Sequence, residues 1–272
     1  METLKVGFIG VGKMGSAVVR AAAQKIHGSQ IYLNNLDVAA IEELAQEIDA
    51  TIVSQEEVPE KIIQGCDIVV LGLVPNVLSK VLNDYWSAMD ADKETLWVSM
   101  AAGVELSTLE ALTPDTHQWV RIMPNTPVEI NEGFISYAPG SRTTPESLDR
   151  VVRLFEKGGR LVQVPETLFD AATGLAGCGP AFIYQIIEAM SDAGVAAGLS
   201  REVATQAAAQ TVQGAGRMVL ETQKHPGQLK DDVTSPGGST IAGVKELEAQ
   251  GLRGAMIAGV EAAIQRSEEL GK

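Results

Sequence analysis

Along the first half of the chain, apolar residues gather into short runs separated by stretches of helical spacing. Leu4–Ile9 (LKVGFI), Ile31–Leu33, Asp67–Leu73 (DIVVLGL), Thr95–Ser99 (TLWVS) and Trp119–Met123 (WVRIM) have strand length and strand composition. Helical patterns fall between them: through Ala17, Val18, Ala21 and Ala22, over Val38–Gln46 and Glu56–Ile63, through Leu78, Val81 and Leu82, and near Leu106–Leu112. Gly133–Ala138, a helix near Pro145–Lys157 and Gly159–Val164 complete this half, and Pro165 marks its end. Strands alternating with helices predict parallel βαβ units covered on both faces, an α/β Rossmann-type domain over residues 1–164. From Glu166 onward the pattern is helical only. Phe169–Ala176, Ala181–Ala193, Arg201–Gln223 behind a Ser200 cap, Thr240–Ala249 and Leu252 to about Leu270 predict an all-helical domain over residues 165–272. Pro180, within the Gly177-Cys178-Gly179-Pro180 run that Phe169–Ala176 and Ala181–Ala193 flank, is expected to kink the helical pattern there.

In such sheets ligands bind beyond the carboxyl ends of the strands, and four loops fall there. The first is Gly10-Val11-Gly12-Lys13-Met14-Gly15, a G-x-G-x-x-G between a strand and a helix. Gly10 permits the tight turn, Gly12 lets a pyrophosphate approach the backbone, and Gly15 allows close helix–strand packing, which together predict a dinucleotide site. Lys13 either adds charge near the phosphates or is a solvated lysine. The others are Leu73-Val74-Pro75-Asn76, Met100-Ala101-Ala102-Gly103 and Pro124-Asn125-Thr126-Pro127. Asn125 is placed to bond a cofactor carboxamide or to hold its own loop. After the second strand, where an acidic residue would select NAD, stand Asn34 and Asn35, with Asp37 following. Two neutral amides favour NADPH, with NADH the alternative. The same asparagines are equally suited to cap the next helix.

In the helical half, His225–Gly243 (HPGQLKDDVTSPGGSTIAG) is the least core-like stretch. Pro and paired Gly exclude one continuous helix. Ser239 or Thr240 is expected to cap the helix that follows. A Gly-rich turn entering a helix aims several N–H groups at one spot, which suits a carboxylate or phosphate, although an ordinary capped loop has the same form.

Composition narrows the class. At 45% hydrophobic the chain can bury a sizeable core, and at 4% aromatic that core is aliphatic. A net charge of -14 argues against nucleic-acid binding. No apolar run reaches membrane-span length, and the N-terminus has neither a basic leader nor a small-residue cleavage site. Cys66 and Cys178 form no disulfide framework or metal spacing, so no metal is expected and a cytoplasmic setting is the simplest. Cys178 lacks a basic neighbour and reads as a packing residue. His225 reads as a helix-end residue, and Asp231 and Asp232 as solvated carboxylates. A helical half this small, rich in Ala and Gly, is expected to pack against a second copy.

Taken in order, these motifs resemble pyrroline-5-carboxylate reductase. The resemblance rests on Gly10-x-Gly12-x-x-Gly15, Ala101-Ala102-Gly103, Met123-Pro124-Asn125-Thr126-Pro127, Gly177-x-Gly179-Pro180-Ala181, and His225-Pro226-Gly227-Gln228-Leu229-Lys230-Asp231 leading to Ser235-Pro236-Gly237-Gly238-x-Thr240. It runs from Gly7 to about Leu270. It implies a Rossmann domain followed by an intertwined helical dimerisation domain, and hydride transfer from NAD(P)H to a cyclic imine to give proline. It also implies a homodimer or larger homo-oligomer whose partners are pyrroline-5-carboxylate and proline. The substrate carboxylate would lie on the Ser235–Thr240 turn, held by Ser235 and by N–H groups at Gly238, Ser239 and Thr240, with Gly237 shaping the turn. The Thr240 hydroxyl would meet the ring nitrogen as the catalytic group. Three positions depart from the family's usual pattern: Val74 stands where a Lys is usual, Asn35 where an Arg is frequent, and Ala176 where a Ser opens the S-G-x-G-P run. The β-hydroxyacid dehydrogenases share the architecture but need a Lys in the first long second-domain helix, and residues 166–198 contain no Lys or Arg. Reduction of a related cyclic imine and a non-catalytic dinucleotide sensor are the remaining alternatives.

Overall fold

The computed structural model describes residues 4–270. In chain order its strands are β1 Val6–Ile9, β2 Ile31–Asn34, β3 Thr51–Ile52, β4 Ile68–Leu71, β5 Leu96–Ser99, β6 Gln118–Met123, β7 Gly133–Pro139 and β8 Gly159–Gln163. Its α-helices are α1 Lys13–Ala23, α2 Ala39–Ile48, α3 Pro75–Asp84, α4 Leu106–Ala111, α5 Pro145–Phe155, α6 Phe169–Ala172, α7 Gly179–Ala196, α8 Arg201–Thr222, α9 Pro226–Asp232, α10 Ser239–Ala249 and α11 Leu252–Leu270. Contacts divide the chain into two compact units: residues up to Cys178 together with those from Ala263 onward, and Gly179–Ala262.

The first unit holds one sheet in the order β3-β2-β1-β4-β5-β6-β7-β8. The order reverses at β1, with β2 on one side and β4 on the other, which is where a doubly wound sheet opens its ligand crevice. Strand period explains why the central strands are apolar throughout. Val6, Phe8, Ile68, Val70, Leu96, Val98, Val120 and Ile122 face one buried cluster. Their neighbours Ile9, Val69, Leu71, Trp97 and Trp119 face the other. Helix α1 buries Ala17, Val18, Val19, Ala21 and Ala22 in the first cluster, as its spacing anticipates.

Several expectations change. β7 runs antiparallel to β6, because only the short 3-10 turn Thr126–Ile130 separates them and a parallel crossover needs a dozen or more residues. The edge strand β3 escaped the sequence pattern because two residues show no periodicity. Glu56–Ile63 is not one α-helix: a 3-10 turn at Gln55–Glu57 precedes a π-helical stretch at Pro59–Gln64. Pro180 does not kink a helix interior. A π-helical turn at Thr173–Gly177 ends at Cys178, and Pro180 sits in the first turn of α7, where its missing N–H costs little.

Beneath β5 and β6, Trp97 and Trp119 stack with ring centroids 5.4 Å apart, and His117 lies 5.9 Å from Trp97. The Trp97 indole donates to His117 Nδ1 at 3.0 Å, so the ring proton resides on Nε2, 3.1 Å from the Asp90 carbonyl. Burial, the largest cause, together with the Lys93 charge, holds this imidazole below its ordinary value, against the opposing Asp90 bond. The unfolded chain therefore binds a proton that the folded ring refuses. This contribution is fully present above about pH 6.5 and is lost as pH falls toward the folded value. Melting temperatures from pH 8 to pH 5 should fall more steeply for the native chain than for His117→Gln; parallel curves would remove His117 as the cause.

In the second unit, Ser200 caps α8 by accepting from Val203 N–H at 3.3 Å, as expected. Among its described residues only Ser191, Ala204 and Ala208 are buried, where α7 and α8 meet. Tyr184, Met218, Leu220, Val233, Leu247 and Ile257 are exposed, Val233 by 66%. An isolated helical domain does not leave that much apolar surface in water. No helix among the described residues is long and apolar enough to cross a membrane.

Candidate active site

The Gly-rich loop turns directly off β1. Gly10 has φ +80°, and its N–H donates to the Asn34 carbonyl at 2.9 Å, tying the loop to the end of β2. A Cβ on Gly10 would lie 2.4 Å from Leu73 Cδ2, so Leu73 forms the wall of the turn. A Cβ on Gly12 would meet nothing within 4 Å, leaving open space before the backbone. Gly12 is also the N-cap of α1, and no side chain caps that helix, so its first N–H groups remain available for an anion. Lys13 is exposed beside them, Met14 is half-buried and Val11 is buried beneath. These residues fit a dinucleotide pyrophosphate. Close packing, however, does not depend on Gly15, whose Cβ would stand an ordinary 3.5 Å from the Gly10 carbonyl. The close approach is at Gly72, where a Cβ would lie 2.5 Å from that same oxygen. Gly72 was not singled out from sequence, although its place after IVVL is the signal that marks it.

Neither asparagine caps α2, whose N-cap is Val38 with no side-chain bond. Asn34 is buried; its amide donates to the Val53 carbonyl at 3.0 Å and accepts from Gln55 at 3.2 Å. Asn35 donates to the Val11 carbonyl at 3.2 Å. Both amides thus brace the crevice. Asn125 behaves similarly: it accepts from Phe134 N–H at 2.8 Å and donates to the Ala176 carbonyl at 3.0 Å, the loop-holding alternative. Val74 is 60% exposed at the N-cap of α3, with Pro75 at its first position. Ala101 donates its N–H to Ser99 Oγ at 3.2 Å, Ala102 is half-buried, and Gly103 turns at φ +71°.

The second cluster of candidates lies in the other unit. His225 caps α9, its Nδ1 accepting from Gly227 N–H at 3.1 Å, the helix-end role expected of it. Asp231 and Asp232 are exposed and paired with Lys230 and Lys224. Gly238 N–H donates to the Ser235 carbonyl at 3.0 Å across a turn in which Gly237 has φ +66°. Helix α10 begins at Ser239. Its N-cap is Gly238, not Ser239 or Thr240, and no side chain caps it. The N–H of Gly238 is therefore spent in the turn, and those of Ser239 and Thr240 open the helix. A Cβ on Gly238 would lie 2.4 Å from Ser235 Oγ, so the serine hydroxyl sits over the turn. Both thiols, Cys66 and Cys178, are free. Cys66 is buried, and burial pushes its thiol up to about 12.

Comparison with known proteins decides the family. A model described as pyrroline-5-carboxylate reductase dimerisation matches residues 166–270. One described as NADP oxidoreductase, coenzyme F420-dependent, matches residues 5–103. A pyrroline-5-carboxylate reductase of Methanosarcina acetivorans is 42% identical over 274 residues, covering 100% of both chains. The chain belongs to the pyrroline-5-carboxylate reductase family. An Arabidopsis thaliana pyrroline-5-carboxylate reductase is 40% identical, covering 99% of this chain and 96% of its own. The Plasmodium falciparum pyrroline carboxylate reductase, solved with NADP bound, is 31% identical with a TM-score of 0.87, covering 100% of each chain. The resemblance carried by the glycine and SPGGST motifs is thereby borne out, as is the combination of a Rossmann-type sheet with a helical dimerisation region. The activity is that of a pyrroline-5-carboxylate reductase, an oxidoreductase that reduces a cyclic C=N bond.

Proposed function

We propose that this reductase takes its hydride from NADPH held by Gly10–Gly15, Leu73–Pro75 and Ala101–Gly103, and that the Ser235–Thr240 turn holds the imine. The observation that carries the substrate reading is the uncapped start of α10 behind that turn. There the N–H groups of Ser239 and Thr240 and the Ser235 hydroxyl suit a carboxylate. The Thr240 hydroxyl then accepts from the N–H of the protonated ring, fixing the proton where positive charge must persist until reduction. Solvent supplies that proton before binding, so the chain needs no strong general acid. Bound in its loops, the cofactor supplies a hydride to the imine carbon, and the C=N pair becomes the nitrogen lone pair of proline. A homodimer is the working form in this reading, supported by the exposed apolar side chains of the helical unit and by the dimerisation model it matches. A cytoplasmic setting suits its two free thiols.

NADP in the Plasmodium falciparum relative supports NADPH. NADH is the second reading, favoured by Asp37 and by the lack of Lys or Arg from Asn34 to Val38. The test follows absorbance at 340 nm with pyrroline-5-carboxylate and each cofactor. Faster turnover per enzyme with NADPH is expected. Oxidation of NADH alone would overturn the cofactor assignment, and oxidation of neither would overturn the proposal.

A further inference from the structure

Arg121 is the only charged residue of β6, on the face that it shares with Trp119. It stands in register with Ser99, the last residue of β5. Its side chain is only 5% exposed; Nη1 donates to Glu166 Oε1 at 2.7 Å, and the guanidinium lies 4.6 Å from the Phe169 ring centroid. Its Nε is buried without a partner. Stability alone does not account for such a residue, because an apolar side chain would fill the position without burying a charge or an unsatisfied N–H.

The consequence of the pair appears at its other end. The same Glu166 Oε1 accepts from Leu106 N–H at 2.6 Å. Leu106 opens α4, three residues beyond Gly103. The loop from Met100 to Glu105 is therefore pinned at both ends by side chains, by Ser99 Oγ on Ala101 N–H and by Glu166 on Leu106 N–H. Gly103, Glu105, Arg121 and Glu166 line one cavity of about 400 Å³, so the anchor borders the same space as the loop it holds.

We propose that Arg121 and Glu166 are positioning residues of the reductase. Arg121 fixes the Glu166 carboxylate, and Glu166 fixes the height of the Ala101–Gly103 loop against the cofactor. This rests on the reading that the loop binds the cofactor. A loop displaced by about 1 Å is enough to lower turnover on the order of 100-fold.

Two variants break the link in different ways. Arg121→Met/Glu166→Leu replaces the pair by apolar side chains, which avoids stranding a buried charge. Leu106→Pro removes the N–H at the first helical position, where proline is tolerated and where Glu105 already has the extended ψ of 149° that a following proline requires. Because it also replaces a buried leucine, Leu106→Ala, which keeps the N–H, is its control and should retain most of the activity. Both linkage variants should lower kcat about 10- to 100-fold and raise the NADPH Kd measured by calorimetry. The KM for pyrroline-5-carboxylate should move much less, because its carboxylate is held by another segment. Glu166→Gln keeps an acceptor for Leu106 and should recover most of the activity. Native kcat and NADPH Kd in either linkage variant would overturn the proposal, as would a Gln variant as impaired as the double variant. Should the double variant fail to fold, Leu106→Pro and Glu166→Gln decide alone. An inactive native chain would instead defeat the reductase reading, a separately visible outcome.

Discussion

Replacing Thr240 by Val is expected to lower kcat on the order of 100-fold, the usual loss when one preorganised polar group leaves a charged transition state. Val keeps the shape and β-branching of Thr but removes the hydroxyl. Thr240 is exposed in the first turn of α10, and no side chain caps that helix. Nothing in the fold of its own unit therefore depends on the oxygen, and the melting temperature should stay within a degree or two, as for a surface change of about 0.5 kcal/mol or less. The carboxylate contacts proposed for Ser235 and Ser239 would remain, so the KM for the imine should change less than kcat does. Steady-state kinetics beside a thermal melt make the comparison. A Val variant with native kcat would remove Thr240 from the chemistry.

Gly12→Val should weaken cofactor binding far more than it affects stability. A Cβ at Gly12 meets no protein atom within 4 Å, and the residue is extended at φ -90°, ψ -163°, which Val adopts readily. The fold loses at most a favourable N-cap, about 1 kcal/mol. The branched side chain would instead occupy the space through which a pyrophosphate reaches the first N–H groups of α1. Losing two charge-assisted hydrogen bonds, about 3 kcal/mol together, weakens NADPH binding on the order of 100-fold. Gly10→Ala would not separate the two effects, since φ +80° and a 2.4 Å approach to Leu73 strain the fold itself. Calorimetric titration with NADPH and a melt of the free protein are the measurements. Native affinity in the Val variant would mean that the cofactor does not lie over Gly12.

Much of the site was legible in the chain because its motifs are local. Gly10 and the SPGGST turn announce themselves by residue type and spacing, since the positive φ at Gly10 and Gly237 leaves few alternatives to glycine, whereas Gly12 is marked by its spacing within the motif. What escaped were residues whose roles depend on partners far away in sequence. Gly72 matters because the Gly10 carbonyl lies against it, and Glu166 because Arg121 and Leu106 converge on one of its oxygens. The lone arginine in WVRIM was a visible signal, as a charge within a buried strand needs a partner. Asn34, Asn35 and Asn125 are ambiguous by type: each suits a cofactor contact or a structural role, and their amide groups bond the protein here. An amide both donates and accepts, so composition cannot say which neighbour uses it.

By itself the sequence determined the alternation of strands and helices, the Gly-rich turn after β1, the change to an all-helical second half and, through its ordered motifs, the family. Each follows from periodicity or from backbone rules that act over a few residues. Tertiary structure alone decided the antiparallel β7, the cap at Gly238, the spent N–H of that glycine and the Arg121–Glu166–Leu106 link. Those depend on which hydrogen-bond groups meet after the chain has folded, and local propensity carries no record of that pairing.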